Sequence, residues 1–431
     1  MGWVRSLGAG AVFTLITLAF LEAALRIVPA AIPTSLLKRF EPGIRSGIAQ
    51  RRGLPHEGQT YLVERSDGGP PLRVFKPNSR IRFEFEDTGE RCELVMDASG
   101  FCNASGDNAR ARSPALVAIG DSFTACHPPE PAATWPSVLA RRLGTRAHNL
   151  GRGGYGPYEY VQLLETFGVA LEPSLVIMQI YEGNDLRDAV RHHRYLRADI
   201  EERERYSERA SFRRYRFEPA PFLGNALGRR SYAYNLAVVA IARGSSSLAE
   251  AAIGDARERV NFRYRLRFPD AVVAMNVRNT DQDEVRSARE LAAGRVSLDA
   301  LDGALEAFAA AGRRRGFRAV ISYAPSAHTA YAEFVEFEDP TLARLMPQFS
   351  QAQRTHIRQR AEALGVEFVD LTPAFHEAAR RERAARLLYF PINVHFTPTG
   401  HAVAAEAVAR ALGSASSAPT TEKTTPASEA R

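Results

Sequence analysis

Residues 115–125 read ALVAIGDSFTA, and this stretch decides the fold. Ala115–Ile119 is a short apolar run with no polar alternation, which predicts a strand buried on both faces. It stops at Gly120-Asp121-Ser122-Phe123-Thr124, where small and polar residues signal a turn. Four more candidate strands come later in the chain at wide spacing: the stretch ending at Leu150, Leu175–Tyr181 (LVIMQIY), Ala319–Tyr323 (AVISY) and Val366–Leu371 (VEFVDL). Helical patterns lie between them. Ser297–Arg314 puts Leu301, Leu305 and Phe308 on one face with Ser297 able to cap, and a segment from about Pro340 to Leu364 meets Gly365 where a helix-ending glycine belongs. Buried strands alternating with helices imply a parallel sheet covered on both sides. The expected fold is a doubly wound α/β domain, its mostly parallel sheet flanked by helices in three layers.

In such a sheet, ligands bind beyond the carboxyl ends of the strands. The residues just past each strand are therefore informative. After the first comes Ser122, after the second Asn149-Leu150-Gly151-Arg152-Gly153-Gly154, after the third Glu182-Gly183-Asn184-Asp185. Beyond the last lies FPINVHFTPTGH, residues 390–401, with His395 just before Thr397-Pro398, a cap and first position of a helix. A serine hydroxyl at a strand-to-helix turn is exposed and faces helix-terminal amides. Glycines let backbone amides approach an oxyanion, and an asparagine amide adds a donor. A histidine can take the serine proton. Each type suits acyl transfer.

These blocks resemble the SGNH hydrolase superfamily, the GDSL-type esterases and lipases. GDSFT is similar to its first block, NLGRGGYGP to the second, EGND to the third and NVHFTPTGH to the last, over about residues 113–412. The N-terminal apolar segment with Leu21-Glu22 and Leu25-Arg26, and the VMDASGF stretch, resemble those of membrane-anchored bacterial members. The resemblance implies an SGNH/flavodoxin-like fold and a serine-dependent acyl-ester hydrolase that acts on a carbohydrate or lipid ester. A sugar O-acyltransferase and an inactive glycan-binding or assembly protein are the alternatives. Ser122 then matches the nucleophile, His395 the base, and Ser122, Gly154 and Asn184 the oxyanion hole, with Asp121 and Asp185 in support. No metal or cofactor is required.

One position departs from this pattern. Members similar to this chain carry aspartate two or three residues before the histidine, where Asn393 and Ile392 stand. An asparagine oxygen can orient the imidazole and fix its tautomer, but it supplies no charge. In a serine protease the Asp→Asn change costs about 10⁴ in kcat. Asn393 is thus the expected orienter, with Asp370 and Asp185 as other sources of charge. Rival chemistries lack their residues. Thr124 stands where a GxSxG elbow needs glycine, His376-Glu377 is followed by Ala378-Ala379-Arg380 instead of completing HExxH, and no GxxxxGK[ST] loop exists. His192-His193 lacks carboxylate or cysteine spacing and reads as an exposed basic pair.

The remaining chain bounds the setting. At 431 residues, 45% of them hydrophobic and 24% charged, it can build a large domain with additions. Arg5 precedes an apolar run, Leu7–Leu21, in a 1–32 segment that reads as a signal-anchor or a signal peptide cut near Val28-Pro29-Ala30. Lys38, Arg39, Arg45, Arg51 and Arg52 favour a cytoplasmic body. The resemblance overrides them and implies a single-pass inner-membrane protein with its catalytic domain exported. Residues 33–112 read as a small β-rich accessory region with a hairpin, in which Ile81, Phe83, Phe85 and Cys92, Leu94, Met96 alternate around Asp87-Thr88-Gly89. Cys92 and Cys102 could bridge in an exported domain, or stay as thiols.

Within 113–412, residues about 187–290 form an insertion dense in arginine. In FRYRLRF, Phe262, Tyr264, Leu266 and Phe268 share one side and Arg263, Arg265 and Arg267 the other. This face suits an anionic polymer or serves as a solvated surface. The net charge of +7 comes with no nucleic-acid motif. Residues 413–431 are poor in hydrophobics, and disorder is expected there.

Overall fold

The computed structural model describes residues 2–28, 32, 40–52, 54, 56–84, 91–103, 116–126, 130–200, 203, 224–237, 260–277, 279 and 282–416. The hairpin turn at 87–89, the expected signal cleavage site at 29–30, most of the arginine-dense stretch at 191–217 and the tail beyond 416 lie outside these residues. The chain forms two compact units. One comprises Met1–Cys102, Arg187–Phe262 and Asn279–Ser287, the other Asn103–Leu186, Arg263–Arg278 and Ala288–Arg431.

In the first unit, β1 (Thr60–Val63) pairs antiparallel with β2 (Leu72–Phe75), and β3 (Arg80–Glu84) with β4 (Arg91–Val95). The second pair is the expected hairpin. Helix Gly2–Ile27 ends on a small apolar cluster of Leu25, Phe40, Ile48, Leu54 and Tyr232. Glu22 accepts hydrogen bonds from Ser231 Oγ (3.0 Å) and the Ala233 N–H (2.9 Å) and pairs with Arg26, which lies over the Tyr232 ring. Burial alone would raise the Glu22 carboxyl pKa, but these donors hold it below the usual range. Among the described residues, no helix is long and apolar enough to cross a membrane. His192 is buried, where the sequence pattern suggests an exposed basic pair. Its Nδ1 lies 3.3 Å from Arg65 and its Nε2 3.8 Å from Asp67.

The second unit carries β5 (Leu116–Ile119), β6 (Ala147–Asn149), β7 (Leu175–Tyr181), β8 (Tyr264–Arg267), β9 (Val272–Met275), β10 (Arg318–Ala324), β11 (Val335–Phe337) and β12 (Glu367–Asp370). Five of them make one parallel sheet in the order β6-β5-β7-β10-β12, and these are the five strands expected from the apolar runs. Period-2 burial explains the runs. Leu116, Ala118, Ile177 and Val320 face a core with Trp135, Leu139, Phe375 and Val408, while the alternate residues Val117, Ile119, Val176, Met178 and Ile321 are buried as well. Helices Trp135–Arg142, Thr372–Glu382 and Pro398–Ser416 pack together on one side. Pro157–Leu163, Asp302–Arg315 and Leu342–Leu364 form the other layer. The expected caps are present: Ser297 Oγ accepts from the Asp299 N–H, and Gly365 ends its helix with φ +66°, as Gly316 also does at +76°.

Part of the arginine-rich insertion folds into a second sheet, β11-β8-β9. Phe262, Tyr264, Leu266 and Phe268 are buried and the intervening arginines exposed, as the alternation predicts. Arg267 pairs with Glu336 on β11, and Arg263 donates to the Val277 carbonyl. These bonds favour the solvated-surface reading of this face.

Cys102 and Cys126 are the disulfide-bonded cysteines. Of the two readings open for Cys102, bridged or free thiol, it is bridged.

Candidate active site

All the expected site residues lie in the second unit, at the carboxyl end of its parallel sheet. The strand order reverses direction between β5 and β7, so connections leave to opposite sides and open a crevice there. Ser122 follows β5 and Asn184 follows β7.

The Ser122 turn is built by Asp121. Its Oδ1 accepts the Phe123 N–H (2.8 Å) and its carbonyl accepts the N–H groups of Thr124 (3.2 Å) and Ala125 (2.9 Å). This corrects one expectation: the next described helical turn starts only at Pro131, so an aspartate-capped turn, not a helix terminus, presents Ser122. Below it, Gln179 Oε1 accepts from Thr124 Oγ1 (3.0 Å) and Trp135 Nε1 (3.1 Å), all buried. Asn149 ties this turn to the glycine-rich one, because its Nδ2 donates to the Thr124 carbonyl (2.7 Å) and its Oδ1 accepts the Gly151 N–H (2.8 Å). Asn103 in turn brackets the Asn149 main chain with bonds of 2.6 and 3.2 Å. Gly153 comes against Ser122, and Gly154 adopts φ +85°.

Asp185 organises the third block. Buried at the first position of helix Asp185–Arg197, it accepts from Tyr160 Oη (2.6 Å), the Tyr181 N–H (2.9 Å) and the Asn184 amide (3.4 Å). It therefore aims the Asn184 side chain and does not serve as the charge behind His395. Asp370 is also engaged elsewhere, capping the Thr372 N–H and pairing with Arg354 and Arg358. Glu182, quoted in EGND but given no role from sequence, is fully buried. It accepts from Tyr323 Oη (3.0 Å), Thr329 Oγ1 (2.6 Å) and Ser350 Oγ (3.0 Å), so it ties the third block to three other elements. Burial, then the Glu182 charge, pushes the Tyr323 hydroxyl pKa well above its ordinary value.

His395 completes the group. Its Nε2 lies 2.8 Å from Ser122 Oγ, and its Nδ1 lies 3.0 Å from the main-chain carbonyl of Asn393. A carbonyl oxygen only accepts, so Nδ1 carries the proton and Nε2 presents its lone pair to the serine hydroxyl. The Asn393 side chain is used differently from expectation: its Oδ1 accepts the His395 backbone N–H (3.1 Å). The turn that points the carbonyl inward is closed by Val394 N–H to Phe390 O (2.9 Å) and Phe390 N–H to His395 O (2.8 Å). It places Val394 at φ +51°, a strained conformation for a β-branched residue. Thr397 caps the following helix through the Gly400 N–H (3.2 Å).

A model of the GDSL-like Lipase/Acylhydrolase family matches residues 118–403, from β5 to the helix after His395. The chain belongs to this family. Among solved structures, this GDSL-like chain is similar to a catalytic mutant of Axe2, an acetylxylan esterase from Geobacillus stearothermophilus, at 16% identity over 70% of this chain and 95% of that one (TM-score 0.35). It is also similar to LAE5, described as an alpha/beta hydrolase enzyme from the metagenome of Lake Arreo, Spain, at 15% identity over 71% and 97% (TM-score 0.36). No curated protein sequence matches it. Family membership supports ester hydrolysis at a general level.

Proposed function

We propose that this chain is a serine-dependent acyl-ester hydrolase that works through an acyl-enzyme at Ser122 and acts on an acylated carbohydrate or lipid. The 2.8 Å contact between His395 Nε2 and Ser122 Oγ, with Nδ1 committed to the Asn393 carbonyl, carries this reading. Nε2 takes the hydroxyl proton as Ser122 Oγ attacks the ester carbonyl. Negative charge on the carbonyl oxygen is met by N–H donors of Ser122 and Gly154 and by the Asn184 amide. The imidazolium returns its proton to the leaving alcohol as the C–O bond breaks. Water, deprotonated by the same nitrogen, then releases the acid and frees Ser122.

Fixing the tautomer recovers much of what a triad aspartate does. A neutral carbonyl does not match its charge, and charge-assisted hydrogen bonds are about twice as strong as neutral ones. Turnover therefore rests on the oxyanion donors more heavily than in a charged triad.

On this reading the domain lies outside the cytoplasm. In support, Cys102 and Cys126 are oxidised, as disulfides persist in oxidising compartments. Protease access in spheroplasts tests this placement.

A fluorophosphonate probe and a short-chain aryl ester test the chemistry. The wild type should be labelled and should cleave the ester, and Ser122→Ala should do neither. Equal silence of the two proteins in both assays would sink the enzyme reading in favour of a binding protein.

A further inference from the structure

We propose that Phe123 is a positioning residue for the base, the middle member of an aromatic column that fixes the plane of the His395 imidazole. The proposal rests on reading Ser122 and His395 as nucleophile and base. The family takes its name from the tetrapeptide G-D-S-L. This chain reads Gly120-Asp121-Ser122-Phe123, with phenylalanine in the place of that leucine. One face of the Phe123 ring lies on the imidazole, centroids 4.8 Å apart and planes within 22°. Its other face lies on Tyr181 at 3.7 Å, also within 22°. Phe396 meets its edge at 4.9 Å and 85°. Phe123 itself is 3% exposed.

Leucine could fill this volume but has no flat face. The distinction matters here because the bonds at Nδ1 and Nε2 hold the ring by its edge and resist tilting of its plane only through their angular preference. A planar neighbour at stacking distance removes that freedom. It also offers a π face to the imidazolium that forms when Ser122 gives up its proton. A main-chain acceptor and a stacked ring thus divide the work of orienting the base.

The column continues into the oxyanion turn. A Cβ on Gly183 would lie 2.5 Å from Tyr181 Cε1, so the Tyr181 ring presses directly on the EGND turn. The Tyr181 backbone N–H is held by Asp185, the same carboxylate that aims Asn184. Base and oxyanion donor are registered against each other through one stack of rings.

The test compares Phe123→Leu with Phe123→Tyr on an aryl ester, and follows the His395 Nδ1–H resonance by NMR in the same variants and in Ser122→Ala. Phe123→Leu should lower kcat about three- to tenfold with KM unchanged, and should broaden the Nδ1–H signal through faster exchange. Phe123→Tyr keeps the ring and should keep both properties. If Phe123→Leu does not fold, Phe123→Met repeats the comparison with a flexible side chain of similar size. Unchanged kcat in the non-aromatic variant, or a Tyr variant as impaired as it, would overturn the proposal. If no Ser122-dependent hydrolysis exists at all, the enzyme reading fails and the NMR arm still decides the column. A sharp Nδ1–H signal in Phe123→Leu would then refute it.

Discussion

Asn393 holds His395 twice, and with two different oxygens. Its main-chain carbonyl accepts from the imidazole Nδ1–H at 3.0 Å, and its side-chain Oδ1 accepts the His395 backbone N–H at 3.1 Å. The side chain shapes the turn, and the main chain orients the base. Asn393→Asp should therefore change kcat by less than about threefold, since the new carboxylate would face a backbone N–H and not the ring. Asn393→Gly removes the turn-forming acceptor and should cost about tenfold. Steady-state kinetics on an aryl ester separate the two. A large gain in Asn393→Asp would show that the side chain can reach the imidazole after all.

Asp185 offers a test of the oxyanion side. Asp185→Asn replaces one acceptor oxygen with an amide that cannot receive all three donors from Tyr160, Tyr181 and Asn184. We expect kcat to fall about ten- to a hundredfold with little change in KM, the pattern of an interaction made mainly in the transition state. A rise in KM alone would point to a substrate-binding role.

Gly151 is where the two catalytic turns come closest. A Cβ there would lie 2.5 Å from the Ala125 nitrogen and 2.7 Å from the Thr124 carbonyl carbon, both backbone atoms that cannot step aside. Gly151→Ala should shift the Ser122 turn and lower kcat by more than about tenfold. Chemical denaturation should show a loss of about 1–3 kcal/mol. Activity at the wild-type level would mean that the turns are not rigidly coupled.

His401 makes stability depend on pH. Burial, and secondarily the nearby His395, push its pKa down to about 3, and its Nδ1 accepts the Trp135 N–H at 3.1 Å. The folded state thus keeps this imidazole neutral while the unfolded chain titrates near 6.5. Its contribution is fully present above about pH 6.5 and is lost as pH falls toward about 3. Between about pH 6.5 and pH 5 the loss should be about 2 kcal/mol. Urea unfolding of the wild type and of His401→Asn at both pH values measures it, and the variant should lose that part of the slope.

The sheet was legible because each of its strands is a short apolar run, and burial on both faces demands such runs. The four blocks of the candidate site were legible for a related reason: each sits where a strand ends and small or polar residues take over. Three features were not. Which cysteines are disulfide-bonded depends on which meet in space, and the sequence left Cys102 open as bridged or free. The role of the Asn393 carbonyl is invisible in one-letter code, since every residue has such a group. Glu182 and Asp185 look alike as acids beside Gly183-Asn184, yet one is held by three hydroxyls from distant elements and the other by one distant hydroxyl and two groups of its own turn.

A main-chain oxygen has a property that no side chain shares: substitution cannot delete it. What inheritance can alter at this site is only the path of the chain that points the oxygen inward, and that path is set by the left-handed backbone at Val394. The heritable equivalent of the missing acid is then a torsion angle. A search for dead relatives that looks for a lost aspartate would count this chain among them, although its His395 Nδ1 is met by an oxygen all the same.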